Sequence, residues 1–343
     1  MYKLKFDKNL CAMCSSFDCL VKCQYMQLDK KMAHDQVMKI INSEDSFVLQ
    51  DCVTCYSCEE YCPLGNHPFY LISERREEKG MLLASRPITN QQIRLCEFQG
   101  KYRIGEVREE ALSACFIPEL QKLATGKLFD GISSSYIYGA EYFCQVMFLH
   151  YAKPSVIKDK LPQVIGNVKR LGVKKLICMH DECYGSFTSL AEAYGIEVPF
   201  EPIHYLEYIF GRLKDLKGDL RRLNVKVVYQ RPCSSRLSPD KSHFVEDILD
   251  VIGAELIQRK YQRENALCCG EIPRTLGRYE LANDIQRKNV EDMVEAEADY
   301  CVFNCPYCQM ALSEKVSKRG IKPIHIIEMC KMALGEKQTD GGK

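Results

Sequence analysis

The residues best suited to chemistry in this 343-residue chain are its 20 cysteines, and their spacing says which chemistry. Cys52, Cys55, Cys58 and Cys62, followed by Pro63, read C-x2-C-x2-C-x3-C-P. Two-residue gaps let three thiolates converge from one tight loop onto a cubane iron–sulfur cluster, whose remaining iron takes a more distant ligand. A zinc ribbon needs only cysteine pairs and explains less of the run. Upstream, Cys11, Cys14, Cys19 and Cys23 read C-x2-C-x4-C-x3-C, with Gln24 where proline would stand. Alone, that run also fits a four-cysteine zinc site; beside the second run it reads as the partner cubane. Where two clusters are present, the fourth cysteine of a run serves the other cluster. Crossed ligation then gives Cys11, Cys14, Cys19 and Cys62 to one [4Fe–4S] cluster, and Cys23, Cys52, Cys55 and Cys58 to the other.

Another group stands in the last third of the chain: Cys233, then Cys268-Cys269-Gly270, then Cys305-Pro306-Tyr307-Cys308. Adjacent cysteines cannot point identically at one small cubane, and five thiolates exceed its irons. This set suits a larger or opened cluster. A weaker copy precedes it. Cys269 and Cys305 are 36 positions apart, as are Cys144 and His180. Leu176-Ile177-Cys178-Met179-His180-Asp181-Glu182-Cys183 mirrors the later C-x2-C, with His180 replacing a cysteine. Pro202-Ile203-His204-Tyr205-Leu206-Glu207 parallels Pro323-Ile324-His325-Ile326-Ile327-Glu328. Three correspondences in the same order indicate duplication. The first copy has Phe143-Cys144-Gln145 in place of Cys-Cys-Gly, and Cys115 is its nearest opening cysteine. Cys115, Cys144, His180 and Cys183 form a Cys3His set that suits tetrahedral zinc. An ordinary cluster, or a decayed site that binds nothing, fits the same residues.

These ligands need elements to hold them. Met32, Val37, Met38, Ile40 and Ile41 give a rough helical spacing in the 28 residues from Gln24 to Asp51. Segment 69–110 also reads mainly helical, with Glu74-Arg75-Arg76-Glu77-Glu78-Lys79 as a solvated face and Gly80 as a stop. Val225-Lys226-Val227-Val228-Tyr229 is a strand leading into Gln230-Arg231-Pro232-Cys233. Tyr279 to Ala298 reads as a helix, and Tyr300-Cys301-Val302-Phe303 as a second strand. Cys305 and Cys308 fall just past that strand's end, where open parallel sheets usually build sites. Cys96, Cys178, Cys301 and Cys330 lie in apolar stretches and read as core thiols. His204 and His325 read as helix starts, and His67 as a surface histidine.

The N-terminal arrangement resembles the α-helical two-cluster ferredoxin modules of respiratory iron–sulfur subunits. The later spacing resembles the cysteine-rich CCG domain of heterodisulfide reductase, and is similar to that of glycolate oxidase and anaerobic glycerol-3-phosphate dehydrogenase iron–sulfur subunits. The resemblance implies an α/β chain with an α-helical N-terminal ferredoxin module and duplicated α/β cysteine-rich (CCG) domains. Their bounds would be a dicluster module at 1–75, a helical linker at 76–110, a degenerate repeat at 111–218, an intact repeat at 219–334 and a disordered tail at 335–343. It also implies a non-cubane cluster on Cys233, Cys268, Cys269, Cys305 and Cys308, acting on a disulfide, thiol or similar acceptor. The chain departs from the family in two ways: only one CCG repeat is intact, and Gln230-Arg231-Pro232-Cys233 stands for the usual His-Asp-Pro-Cys. The functional expectation is an anaerobic iron–sulfur oxidoreductase subunit whose partners are other redox subunits, such as a flavoprotein, a ferredoxin or a metal-containing dehydrogenase. The alternatives are a pure electron-transfer subunit linking a dehydrogenase to a quinone or ferredoxin, and a cluster-assembly or enzyme-activation factor.

Composition narrows the field further. With 47 basic and 46 acidic residues the net charge is +1, which offers no footprint for nucleic acid. No apolar run approaches the roughly 18 residues of a membrane span, so membrane association would come through a partner. The first residues lack the apolar core of a secretory signal, and thiols at metal spacing point to a reducing, cytoplasmic setting. No G-x-G-x-x-G or phosphate loop occurs, so no tightly bound flavin or nucleotide is expected.

Overall fold

A computed structural model describes residues 6–81, 87, 90, 103–115 and 117–336 of the chain. Up to residue 81 the described elements are all helical: Lys8–Ala12, Asp18–Val21, Lys30–Ile41, Val48–Asp51, Ser57–Tyr61 and Pro68–Glu78. Lys30–Ile41 is started by the Asp29 carboxylate, which accepts from the Met32 amide at 2.8 Å. It buries Ala33, Val37 and Ile40, one stripe at three- and four-residue steps. Pro68–Glu78 begins on its proline and ends at Gly80, whose φ of 63° permits the left-handed turn that stops a helix.

The charged stretch on that helix is only partly a solvated face. Arg76 is fully buried and donates to the carbonyls of Leu49 (2.7 Å) and Cys52 (2.9 Å). A cysteine loop has few regular backbone bonds, so its buried carbonyls need a donor from outside. Arg76 is one such donor, and Arg278 also reaches the Cys52 carbonyl at 3.4 Å.

Two sheets follow. The first has the order β1-β3-β2-β4-β5, from Arg103–Ile104, Glu110–Ser113, Tyr136–Tyr138, Lys175–Cys178 and Glu201–His204. Its four strands β2 to β5 are parallel, and β1 pairs antiparallel with β3. The second has the order β7-β6-β8-β9, from Val225–Gln230, Ala254–Leu256, Tyr300–Phe303 and Lys322–His325, all parallel. In each sheet the parallel strands run outward, then back across: β3 lies outside β2 and β7 outside β6. A 17-residue helix crosses to the next strand in each case, Pro154–Arg170 and Tyr279–Glu295. Ile177 and Val302 are both under 2 % exposed, as expected for strands covered on both faces. The sheets share a core in which Ile177, Leu206 and Ile209 meet Ile248, Leu249, Ile324 and Ile327.

The helical reading of the linker needs correction at its end. Gly105 and Glu106 donate to the carbonyls of Tyr136 and Ser134, so the sheet edge claims this segment for β1. Glu110 then opens β2. Most of the linker expected to be helical (82–86, 88–89 and 91–102, with Cys96) and residues 337–343 lie outside the described residues. Glu336 is tied down, its carboxylate accepting from the Lys127 amide at 2.6 Å. Among the described residues, no helix is long and apolar enough to cross a membrane.

Candidate functional site

The two N-terminal runs use one local device. Cys19 and Cys58 each sit in the first turn of a short helix, Asp18–Val21 and Ser57–Tyr61. Each helix is entered through a left-handed aromatic residue, Phe17 (φ 54°) or Tyr56 (φ 61°). Such a conformation is unusual outside glycine and turns the chain sharply, bringing the first three thiols of a run together. The fourth cysteine lies beyond the helix and points elsewhere. Cys11, Cys14, Cys19 and Cys62 line one cavity. Cys23, Cys52, Cys55 and Cys58 line another, to which Cys19 also contributes an edge. The crossed sets are therefore the ones that converge in space.

The donor chemistry suits clusters. Amides of Phe17 and Thr54 lie 3.4 Å from Cys14 Sγ and Cys52 Sγ, and Asn66 Nδ2 donates to Cys11 Sγ at 3.3 Å. Such bonds stabilise thiolates. Burial pushes Cys11 up to about 11 and Cys23 up to about 12. A thiolate there is costly by itself and is favoured by a bound cation.

The later set converges as well. Cys233 opens the turn Cys233–Leu237 after β6, and Cys305 caps the helix Pro306–Ser317, which carries Cys308, after β8. The neighbouring thiols of Cys268 and Cys308 draw the Cys269 thiol down, and Cys308 is pushed up by Cys269 and Cys305. Cys233 lies in the field of Cys269 and Cys305. Gly270 makes this possible: its φ is +82°, and a Cβ there would lie 2.9 Å from the Ala282 carbonyl. The Cys308 hydrogen bond draws Cys305 down to about 6, against its burial and with help from His180.

Around the first sheet three of the four expected residues meet. The thiols of Cys115, Cys144 and Cys183 lie within 4.8 Å of one another, all buried. Gln145, at φ 68°, holds the left-handed place that Gly270 holds in the other sheet. His180 is the exception. It caps the helix Asp181–Gly185, and its Nε2 lies 3.4 Å from Cys305 Sγ, across the junction between the sheets. Of the expected Cys3His set, the three thiols lie together, and the imidazole lies against a thiol of the second sheet. Burial opposes a charged His180, yet the Cys305 thiolate raises it to about 10.

A dense polar seam fixes the helical module to the second sheet. Glu60, between Cys58 and Cys62, receives both Arg231 and Arg236. Arg236 also donates to the carbonyls of Cys55, Glu264 and Ala266. The Tyr25 hydroxyl accepts from the Cys268 amide at 2.9 Å. Val53 and Cys55 share a buried cluster with Leu267, Cys268, Cys269, Cys305 and Cys308. Behind the second run, Tyr56 OH and Thr54 Oγ1 meet the two ring nitrogens of His150 at 2.9 and 2.8 Å.

The seam is not legible in the sequence, although one signal is present: Glu60, Arg231 and Arg236 are charges set inside or beside cysteine motifs. The surface position expected for His67 is also corrected. It is buried, with Nδ1 2.9 Å from Glu59, whose other oxygen accepts from the Phe69 amide. His204 and His325 do start helices, each Nδ1 accepting an amide two residues on. Cys178, Cys301 and Cys330 are core thiols with no exposure.

With this geometry in place, the chain can be set beside known proteins. The profile of the cysteine-rich CCG domain matches residues 227–313, which contain all five later thiols. The chain is 23% identical over 316 residues to one of the subunits of the fumarate reductase (CoM/CoB) of Methanothermobacter marburgensis, covering 83% of this chain and 61% of that one. It is 26% identical over 177 residues to one of the subunits of the dihydromethanophenazine:CoB--CoM heterodisulfide reductase of Methanosarcina barkeri, covering 49% of this chain and 42% of that one. The chain therefore spans less than two thirds of either curated relative. A crystal structure of a hypothetical protein from Helicobacter pylori has a TM-score of 0.53 at 12% identity, covering 88% of this chain and 64% of that one. That likeness concerns the fold alone.

Proposed function

We propose, from the premise that this chain is a heterodisulfide reductase-like iron–sulfur subunit, that it relays electrons through two [4Fe–4S] sites to a terminal non-cubane site. The clusters, when bound, supply one-electron storage and transfer over potentials the protein sets. Cys11, Cys14, Cys19 and Cys62 would hold the first, nearest the surface. Cys23, Cys52, Cys55 and Cys58 would hold the second. Cys233, Cys268, Cys269, Cys305 and Cys308 would hold the third, where a disulfide or similar acceptor takes up two electrons and two protons to give two thiols. The observation that carries the order is contiguity: Cys55 packs in one buried cluster with Cys268 and Cys269, and Tyr25, two residues past Cys23, holds the Cys268 amide.

Matching strand orders and crossover helices support an internal duplication whose first copy lost its CCG chemistry. Zinc or an ordinary cluster would be held by Cys115, Cys144 and Cys183, whose thiols lie together, with His180 as the remaining candidate ligand. Partner redox subunits and a cytoplasmic setting complete the reading. A second reading has one observation in its favour. Cys268, Cys269, Cys305 and Cys308 are all at most 5 % exposed, which suits a wire feeding a partner better than an open reductase site. Purified protein that reduces disulfides with an artificial donor supports the first; protein active only when rejoined to a partner supports the second.

The test is metal content and low-temperature EPR on anaerobically purified protein. About 12 irons are expected for three four-iron sites, with stoichiometric zinc; about eight irons would remove the terminal site. Cys62→Ser tests the crossing. It should abolish the first cubane's signal and spare the second, although Cys62 belongs to the second run. Loss of the second signal instead would restore uncrossed ligation.

A further inference from the structure

Of the four residues in the Cys3His expectation, His180 also lies against a thiol of the second sheet. His180 and Cys305 occupy corresponding places in the two sheets. Each follows a strand, β4 or β8, in extended conformation (φ −147° and −126°), and each caps the next helix. Facing each other across the junction, they meet at 3.4 Å between Nε2 and Sγ. The surroundings leave the ring little freedom. His180 is 1 % exposed. The Asp181 carboxylate is held by His204 Nε2 and by Asn304 Nδ2, both at 3.2 Å, which laces the two strand exits together. The other ring nitrogen, Nδ1, lies 3.9 Å from Glu182.

We propose that His180 is a potential-setting residue of the terminal site, donating Nε2–H to the Cys305 thiolate from the opposite copy. The inference rests on the reading that Cys305 holds a cluster. The physical reason is general. A hydrogen bond to a ligand sulfur stabilises the site more once it has gained an electron and its negative charge has grown, so it raises the reduction potential. A position that lost its thiol in one copy has become an outer partner of the thiol retained in the other.

The experiment is an EPR-monitored redox titration of anaerobic, iron-loaded protein carrying His180→Leu or His180→Gln. Leucine cannot donate, and the terminal midpoint should fall. At the wild-type midpoint the reduced-to-oxidised ratio should drop about tenfold, equivalent to about 59 mV for one electron. Glutamine can present an amide N–H and should recover most of that loss. The signals of the two cubanes serve as internal controls and should not move. In wild-type protein carrying ¹⁵N-histidine, pulsed EPR should detect one weakly coupled nitrogen at the terminal site. Unchanged midpoints in both variants, with the terminal signal present, overturn the proposal alone. Iron loss in His180→Leu together with a strongly coupled nitrogen would make His180 a direct ligand and also overturn it. Absence of any terminal signal in wild-type protein overturns the underlying reading and this proposal together.

Discussion

Glu60→Gln should cost the folded chain about 3–5 kcal/mol, the usual penalty for breaking a buried ion pair by removing one partner. The side chain of Glu60 is 13% exposed, and its two partners Arg231 and Arg236 are 7% and 0% exposed. One carboxylate thus answers two guanidiniums. A neutral amide of the same shape keeps the packing and leaves both cations without compensation. The damage should be local to the seam, since Glu60 lies between Cys58 and Cys62 while its arginines flank Cys233. The readout is the temperature at which cluster absorption bleaches under argon, with Asp284→Asn as the comparison. Asp284 pairs with Lys288 on an exposed helix face, and exposed pairs of that kind contribute about 0.3–0.5 kcal/mol. Equal midpoints for Glu60→Gln and Asp284→Asn would show that the seam does not join the two parts.

The reason the sequence speaks so clearly about some features and not others is physical. Ligand spacing inside a run is a local property: Cys52, Cys55 and Cys58 must come from one loop, so their gaps are written in the chain. The strands at 225–230 and 300–303 are equally legible, being short apolar runs that end just before cysteines of the later set. Crossing of the fourth cysteines is legible only by analogy with known runs, and the cavities lined by Cys62 and Cys23 support it. Long-range pairings are not legible. Arg76 looks like part of a solvated face because nothing in Glu74–Lys79 reveals that the Leu49 and Cys52 carbonyls lack donors. His180 stands where the C-x2-C spacing suggests a ligand, and only the packing of two sheets reveals Cys305 beside it, 125 residues away. His67 misleads for the same reason. Its environment is set by Glu59, on the far side of the Cys62–Pro63 turn.

Cys269→Ser should remove the terminal site while leaving the two N-terminal sites intact. Among the five later thiols Cys269 is the hub, its thiol drawn down by Cys268 on one side and by Cys308 on the other. A serine hydroxyl is a poor ligand for iron that thiolates hold, so iron should fall from about twelve to about eight per chain. Disulfide reduction with an artificial donor, where the protein shows it, should fall to background. The two cubane signals should persist, because none of their eight cysteines lies beyond residue 62. Cys301→Ala is the matching control. Cys301 lies four residues before Cys305 and is fully buried, but its Sγ faces Met293 Sδ at 3.6 Å and not the cluster of thiols. That variant should keep its iron and lose only packing energy. If both variants retain about twelve irons, the later cysteines build a scaffold and the chain is a two-site wire. If both lose the same iron, the strand that delivers Cys305 matters more than the hub. The expected divergence between them distinguishes ligation from structural support, since the two thiols differ little in burial and differ sharply in what they face.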